Sequence, residues 1–441
     1  MMEESLFEKW RRTHYSSEIY EELDGKDVIV CGWAENFRDL GNIQFITLRD
    51  SRGKVQITIP KKKVSTDVFD AAKSIRQQFV LGVAGVVKVN KEAPRGVEII
   101  PSKIRIFGKA SHPLPLEPTG KIPADIDVRL NARILDLRRP ECRAIFRIRH
   151  EALQSIRKYL SREGFMEIQT SRIIGAASEG GSALFSLDYF GDKAYLAQSP
   201  ELYKEELVTI FEKVFEIGNF FRAEKSHTRR HLNEFISIDI EEAFASAEDV
   251  MKVQEGLIAE VIEHIIQSCD KELEILNCKL KKPDLPFNRL TYREVLEKLA
   301  KNGCEINWGE DLTTKASRLL GEMYMEEFYF IVDWPSEARP FYIKPQDNDP
   351  KICYAFDLMY EWIEITSGGA RVDSKDLFIK RLKEQGLNPD SFDFHIRTYD
   401  YGMPPHSGWG MGMDRFMLVL SCKENIREVV LFPRDRYRLV P

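Results

Sequence analysis

"FRAEKSHTRRHLNEF", residues 221–235, decides how the larger part of this chain folds. Short runs rich in Phe and Ile flank it, "FEKVFEIGNFFRAE" before and "FISIDIEEAFA" after. A strand, a polar loop and a returning strand with no helix between them predict a hairpin in an antiparallel sheet. The loop gathers Arg222, Lys225, Arg229 and Arg230 with His227, His231, Glu224 and Glu234. Arginines so placed can clamp a phosphate or a carboxylate with two parallel hydrogen bonds, and Phe235 offers a face to a planar base. A solvated hairpin tip would carry the same residues.

Outward from the hairpin, "FYFIVDW", "YAFDLMYEWIEITSGG" and "GWGMGMDRFMLVL" read as further strands, and "ECRAIFRIRHEALQSIRKYLSREGF" and "AEDVMKVQEGLIAEVIEHIIQSC" as amphipathic helices. Together they predict an α+β domain around an antiparallel sheet. Residues 27–107 have a different texture. Five Val- and Ile-rich runs with turn signals, and one helical stretch after the third, suit a small closed OB-type barrel or another small β-barrel or sandwich. Pro113, Pro115, Pro118 and Pro123 stiffen the segment between. The expected domains are therefore 1–107, a 108–132 hinge, and 133–441.

A net charge of −6 excludes a globally basic nucleic-acid coat but not local basic strips. Seven cysteines without a C-x-x-C pair argue for reduced thiols and against a disulfide frame or zinc site. With no apolar run of signal or bilayer length, the expectation is a soluble cytoplasmic protein. No G-x-x-x-x-G-K-[ST] occurs, which excludes a P-loop.

Three further stretches could carry chemistry. In "QSPELYK", residues 198–204, Glu201 and Lys204 fall on one helix face, either as a surface ion pair or toward a charged ligand. In "FDLMYEWIEITSGGAR", Asp357, Glu364 and Ser367 are oxygen donors suited to Mg2+. Asp357 and Glu364 are seven apart, so one strand could bring them together only through a bulge or a shared rim. Gly368 and Gly369 permit close backbone approach to a ligand, and Arg371 adds a fork. In "HSGWGMGMDRF", glycines at 408, 410 and 412 leave one strand face flat for a planar base, or for close packing of two elements.

In order and spacing these clusters match the three signature motifs of class II aminoacyl-tRNA synthetases. The chain from "RRTHYSSEI" to "LFPRDRYRLVP" resembles the aspartyl-tRNA synthetases of the archaeal and eukaryotic type, class IIb. That resemblance implies a class II antiparallel catalytic domain behind an OB-fold. It implies an enzyme that activates L-aspartate with ATP as substrate and transfers it to tRNA(Asp). Arg222, Glu224 and Arg415 would be its catalytic residues. Arg222 would meet the aspartate carboxylate and α-phosphate, and Glu224 the adenine. Arg230, His231, Leu232 and Phe235 would complete the ATP side with Glu364 and with Gly412, Met413, Asp414 and Arg415. Lys204 and Arg371 would take the substrate's side-chain carboxylate and Asp239 its ammonium, with Glu179, Glu201 and Ser367 around them. Asp357, Glu364 and Ser367 would hold Mg2+. Arg38, Phe45, Gln56 and Glu98 match anticodon-reading positions, where aromatic stacking and amide hydrogen bonds read single-stranded RNA. A homodimer is implied, although Ser171 replaces the motif 1 proline. Glu201 replaces a glutamine. Pro94, with Glu35, resembles members that also charge tRNA(Asn). An asparaginyl-tRNA synthetase and a silent RNA-binding paralogue are the alternatives.

Overall fold

The computed structural model describes residues 10–175, 184–225 and 228–441. Contacts divide the chain into Met1–Lys121 and Ile122–Pro441, with the boundary inside the proline-rich segment.

In the first unit, β1 (Asp27–Asp39), β2 (Ile43–Arg49), β3 (Lys54–Pro60), β4 (Val80–Val89) and β5 (Val97–Gly108) close into a barrel of order β1-β2-β3-β5-β4. The helix Thr66–Lys73 follows the third strand, as the sequence pattern predicts, and Ser65 caps it by accepting from the Val68 N–H. Alternation does the rest. Ile46, Leu48, Ile57, Ile59 and Ile99 point into the barrel core, which leaves their neighbours on the outer face.

The second unit is built on an eight-stranded sheet. Its strands are β6 (Met166–Glu167), β10 (Lys213–Phe221), β11 (Glu234–Ala243), β12 (Asn288–Thr291), β13 (Phe328–Val332), β14 (Ala355–Tyr360), β15 (Ile363–Ala370) and β16 (His406–Gly412). Their order is β12-β13-β14-β15-β16-β11-β10-β6, antiparallel except at the two edges. A separate small sheet holds β7 (Ile173–Ile174), β8 (Ser186–Tyr189) and β9 (Asp192–Leu196). Helices Pro140–Arg162 and Ala247–Ser268 cover one face of the large sheet. The core there joins Ile148 and Ile258 to Ile238, Ile240, Phe356, Trp409 and Met411. The indole of Trp409 donates to the Val250 carbonyl at 3.0 Å, which fixes which face of β16 looks at the helices. The other face is where the polar residues of the central strands collect.

Two expectations change. The run 356–371 is a hairpin, not one strand. It turns at Glu361–Trp362, with Glu361 at φ 50°, and pairs Asp357 with Ser367. Cys278 and Cys422 form a disulfide across 144 residues, with Cα atoms 5.5 Å apart. Nothing in their local sequence marks the pair, because only the fold brings the end of the Met413–Ser421 helix to Cys278.

Candidate active site

The exposed tip hairpin of the large sheet and its central strands enclose a cavity of about 310 Å³. β10 and β11 pair from Lys213↔Glu242 to Phe221↔Glu234, so the 221–235 stretch is a hairpin as read. Arg222 stands just past β10, half-buried at the cavity wall, its guanidinium 5.3 Å from the centre of the Phe235 ring. Its backbone is held by Asn233. Arg222 N–H donates to the Asn233 carbonyl at 2.9 Å, and the Asn233 amide returns a bond of 2.7 Å. Glu224, Arg230, His231 and Leu232 line the same wall. Arg230 lies 4.3 Å from the Trp362 ring, and the His231 ring bonds the Thr228 hydroxyl at 2.6 Å. Burial, then the Arg415 charge, lowers the His231 pKa, which keeps that ring neutral near pH 7.

Opposite stands the 363–370 strand. β14 and β15 slip register between Leu358↔Thr366 and Met359↔Glu364, making Ile365 an extra residue. This bulge turns Glu364 and Ser367 to the same side, and both border the cavity. Arg415, in the first turn of the 413–421 helix, holds Glu364 at 3.0 Å. Glu364 is exposed at the cavity rim; desolvation against the wall would raise its pKa, but Arg415, Arg339 and Arg222 together hold it low. Asp357 is buried and paired through Oδ2 with Arg339, while its Oδ1 has no hydrogen-bond partner among the described residues. Burial pushes its pKa up to about 6, Arg339 opposing and Glu364 reinforcing.

Beyond this wall lies a buried charge cluster. The helix Glu201–Phe211 turns Glu201, Lys204 and Glu205 inward. Lys204, 1 % exposed, has its Nζ 3.0 Å from Glu201, 3.4 Å from Asp239 and 3.4 Å from Glu241, and donates to the Trp409 carbonyl at 3.3 Å. Arg371 reaches Glu201 at 2.7 Å and grips both oxygens of Glu241 at 3.0 and 3.1 Å. Glu201, Asp239 and Arg371 border the cavity. The Lys204–Glu201 pair is therefore a buried one, and its surface reading fails. Asp239 Oδ2 and Gln198 Oε1 are buried acceptors without a hydrogen-bond partner among the described residues.

Of the two readings of the alternating glycines, close packing of two elements is the one seen at Gly408 and Gly410. Register sets Gly408 opposite Glu241 and Gly410 opposite Asp239. A Cβ on Gly408 would lie 2.0 Å from Glu241 Oε2, and one on Gly410 would lie 2.7 Å from Asp239 Oδ1. The missing side chains make room for carboxylates. Gly368 and Gly369 likewise meet protein, since a Cβ at either would strike the Gly408 or the Tyr354 carbonyl. Gly410→Ala is expected to destabilise the protein by about 1–3 kcal/mol through overpacking, measured by urea unfolding; a loss under 0.5 kcal/mol on the same order-of-magnitude scale would contradict this reading.

Not every expected residue reaches the cavity. Met413 is fully buried in the core. Asp414 does border the cavity, but its carboxylate is spent on the Ile236 N–H at 3.0 Å and on Arg149 at 2.7 Å. Glu179 and His227 lie outside the described residues. Sequence reasoning missed Glu241 and Arg339. Period two from Asp239, and the glycine facing it, was the available signal for Glu241.

In the barrel, Arg38 pairs across strands with Phe45, Phe45 with Thr58, and Gln56 with Glu98. Alternation puts all four expected residues on the outer face. Gln56 donates to Glu98 at 3.2 Å, and the Thr58 hydroxyl donates to the same carboxylate at 2.6 Å.

A cationic wall stands beside a buried mixed-charge pocket on the open face of an antiparallel sheet, an arrangement suited to an anion next to a small zwitterion. Residues 125–436 match the family model for class II tRNA synthetases (D, K and N), and residues 28–107 the OB-fold nucleic acid binding domain. The chain belongs to the class II aminoacyl-tRNA synthetases and is an aminoacyl-tRNA ligase. It is 49% identical to the aspartate–tRNA(Asp/Asn) ligase of Methanocaldococcus jannaschii over 98% of this chain and 99% of that one. It is 49% identical to the ligase of the same name from Archaeoglobus fulgidus, over 97% and 99%. Among solved structures, asparaginyl-tRNA synthetase from Pyrococcus horikoshii, complexed with asparaginyl-adenylate, superposes with a TM-score of 0.92 at 33% identity, covering 97% and 99%.

Proposed function

We propose that this ligase activates L-aspartate with ATP and transfers it to tRNA(Asp) and tRNA(Asn). The observation that carries the reading is the division of one cavity between guanidinium groups and a pocket holding an Asp239 oxygen that has no hydrogen-bond partner among the described residues. Relatives at 49% identity whose names give aspartate and both tRNAs support it.

The first step joins two anions. An α-carboxylate oxygen attacks the α-phosphorus, and the bond to the β-phosphate oxygen breaks to release pyrophosphate. Arg222 neutralises the approaching groups and fixes their line of approach, and Arg415 covers the outer phosphates. Arg230 and His231 border the nucleotide side, Phe235 takes the adenine face and Glu224 its edge. Asp239 holds the ammonium, while Arg371 and, behind it, Lys204 face the side chain. In the second step a terminal ribose hydroxyl of tRNA attacks the adenylate carbonyl and AMP leaves. Arg38, Phe45, Gln56 and Glu98 would read the anticodon.

The donor set suits a hard cation. Glu364 and Ser367 border the cavity, and Asp357 keeps one buried oxygen unpartnered among the described residues. Glu364, Ser367 and Asp357 would hold Mg2+, which supplies charge neutralisation for phosphoryl transfer. We also propose a cytoplasmic homodimer; among the described residues no helix is long and apolar enough to cross a membrane.

Aspartate-dependent ATP–pyrophosphate exchange, followed by charging of separate tRNA(Asp) and tRNA(Asn) transcripts, tests this. Exchange with aspartate and charging of both transcripts is the expected result. Exchange with asparagine alone would replace aspartate by asparagine, and charging of tRNA(Asp) alone would remove the second tRNA.

A further inference from the structure

Three carboxylates, Glu201, Asp239 and Glu241, face two cations, Lys204 and Arg371, in a cluster that is at most 5 % exposed. The cations are thus more than compensated before any substrate enters. A substrate aspartate adds a side-chain carboxylate here, while its ammonium pairs with Asp239. That leaves Glu201, Glu241 and the substrate's carboxylate against Lys204 and Arg371. The cluster thus carries one excess negative charge with or without substrate, and because burying an uncompensated charge is strongly unfavourable such a site takes up a proton instead.

Only one of these acids is placed to yield. Glu241 is gripped by both arms of the Arg371 fork, and Asp239 is needed as an anion by the ammonium. Glu201 alone among the three both borders the cavity and touches both cations. Its Oε2 is 3.0 Å from Lys204, and its Oε1 is 2.7 Å from Arg371 yet makes no aligned hydrogen bond among the described residues. We propose that Glu201 determines side-chain specificity by proton exchange: neutral Glu201 admits a substrate carboxylate to Lys204 and Arg371, and ionised Glu201 competes with it. This rests on the aspartate reading of the same pocket.

The charges around Glu201 agree. Burial pushes its carboxyl up to about 8, Arg371 and Lys204 pulling down, Glu241 and Glu205 pushing up. Glu205, from the same helix, is itself locked low by His395 and His406. Lys204 and Arg371 are raised above their ordinary values, because the surrounding acids outweigh burial, so neither loses its proton in this range. His395, which burial would lower but Glu205 and Glu206 raise to about 9, titrates nearby and is retained in Glu201→Gln, which makes that variant the informative control.

The experiment is aspartate-dependent ATP–pyrophosphate exchange from pH 6.5 to 9.5, with asparagine as a competitive inhibitor, on the full-length enzyme and Glu201→Gln. The pH limits are on the order of the window set by a carboxyl titrating near 8. In the unsubstituted enzyme the KM for aspartate should rise about tenfold per pH unit above about 8, while the inhibition constant of asparagine stays level. In Glu201→Gln the rise should vanish, leaving its KM at pH 9 about tenfold below that of the unsubstituted enzyme. Parallel aspartate profiles in the two enzymes would overturn the proposal. Should Glu201→Gln fail to fold, the comparison of aspartate with asparagine decides alone, and equal pH dependence of the two would overturn it. Absence of aspartate-dependent exchange at every pH would instead overturn the aspartate reading itself.

Discussion

Lys204→Met is expected to lower folding stability by about 3–5 kcal/mol at neutral pH, and to abolish aspartate-dependent exchange. The side chain is 1 % exposed and touches Glu201, Asp239 and Glu241. Methionine fills similar space but leaves Glu201 and Glu241 with Arg371 alone and takes away Asp239's pair with Lys204, and a buried acid without its partner costs far more than a surface pair is worth. The loss should depend on pH with a definite sign. Burial already holds Glu201 and Asp239 above their ordinary pKa values. An acid whose folded-state pKa is raised contributes stability below its unfolded value and loses that contribution as pH rises to the folded one. For Glu201 that window runs from 4.5 to about 8, and removing the lysine pushes these acids higher still. Urea unfolding of the variant should therefore show a smaller deficit at about pH 5 than at about pH 7.5. A deficit that stays below 1 kcal/mol on this order-of-magnitude scale at both values would mean that Lys204 does not hold the buried acids as described.

Arg222→Ala should lower the kcat/KM of exchange by about 10²–10³-fold, the scale for removing one preorganised donor to developing charge. Arg222 is half-buried at the cavity wall, and its backbone is tied by Asn233, so the hairpin survives the truncation. Arg222→Lys should recover only a fraction, because an ammonium cannot reproduce the planar fork. The decisive comparison is kcat against KM. Loss concentrated in kcat would mark an interaction gained in the transition state, and loss confined to KM would demote Arg222 to ground-state binding.

Much of this site was legible because its parts repeat local rules. Val and Ile alternation with turn residues outlined the barrel, and the basic run 221–235 between two apolar strands announced its hairpin. Other parts left no local trace. The turn at Glu361–Trp362 has no glycine or asparagine, although Glu361 adopts a positive φ. The convergence of Glu364 and Ser367 depends on a bulge at Ile365 that only cross-strand pairing shows. Glu241 looks like an ordinary charged strand residue until Arg371 and Lys204 arrive from elsewhere in the chain. The Cys278–Cys422 link spans 144 residues, and no spacing rule reaches that far. Glu201 is the case in between. Its helix position was readable, but whether it met solvent, substrate or Lys204 was settled only by three-dimensional charge counting.

The fit of Gly408 to Glu241 and of Gly410 to Asp239 has a consequence for how this pocket could diverge. Each glycine is a lock cut for one carboxylate, so enlarging the glycine first is penalised while the acid still stands opposite. A descendant with a different amino-acid preference would have to shorten or remove the acid before any side chain could grow on β16. Substitution at these positions is therefore ordered in time, acid first and glycine second, and the reverse path is closed.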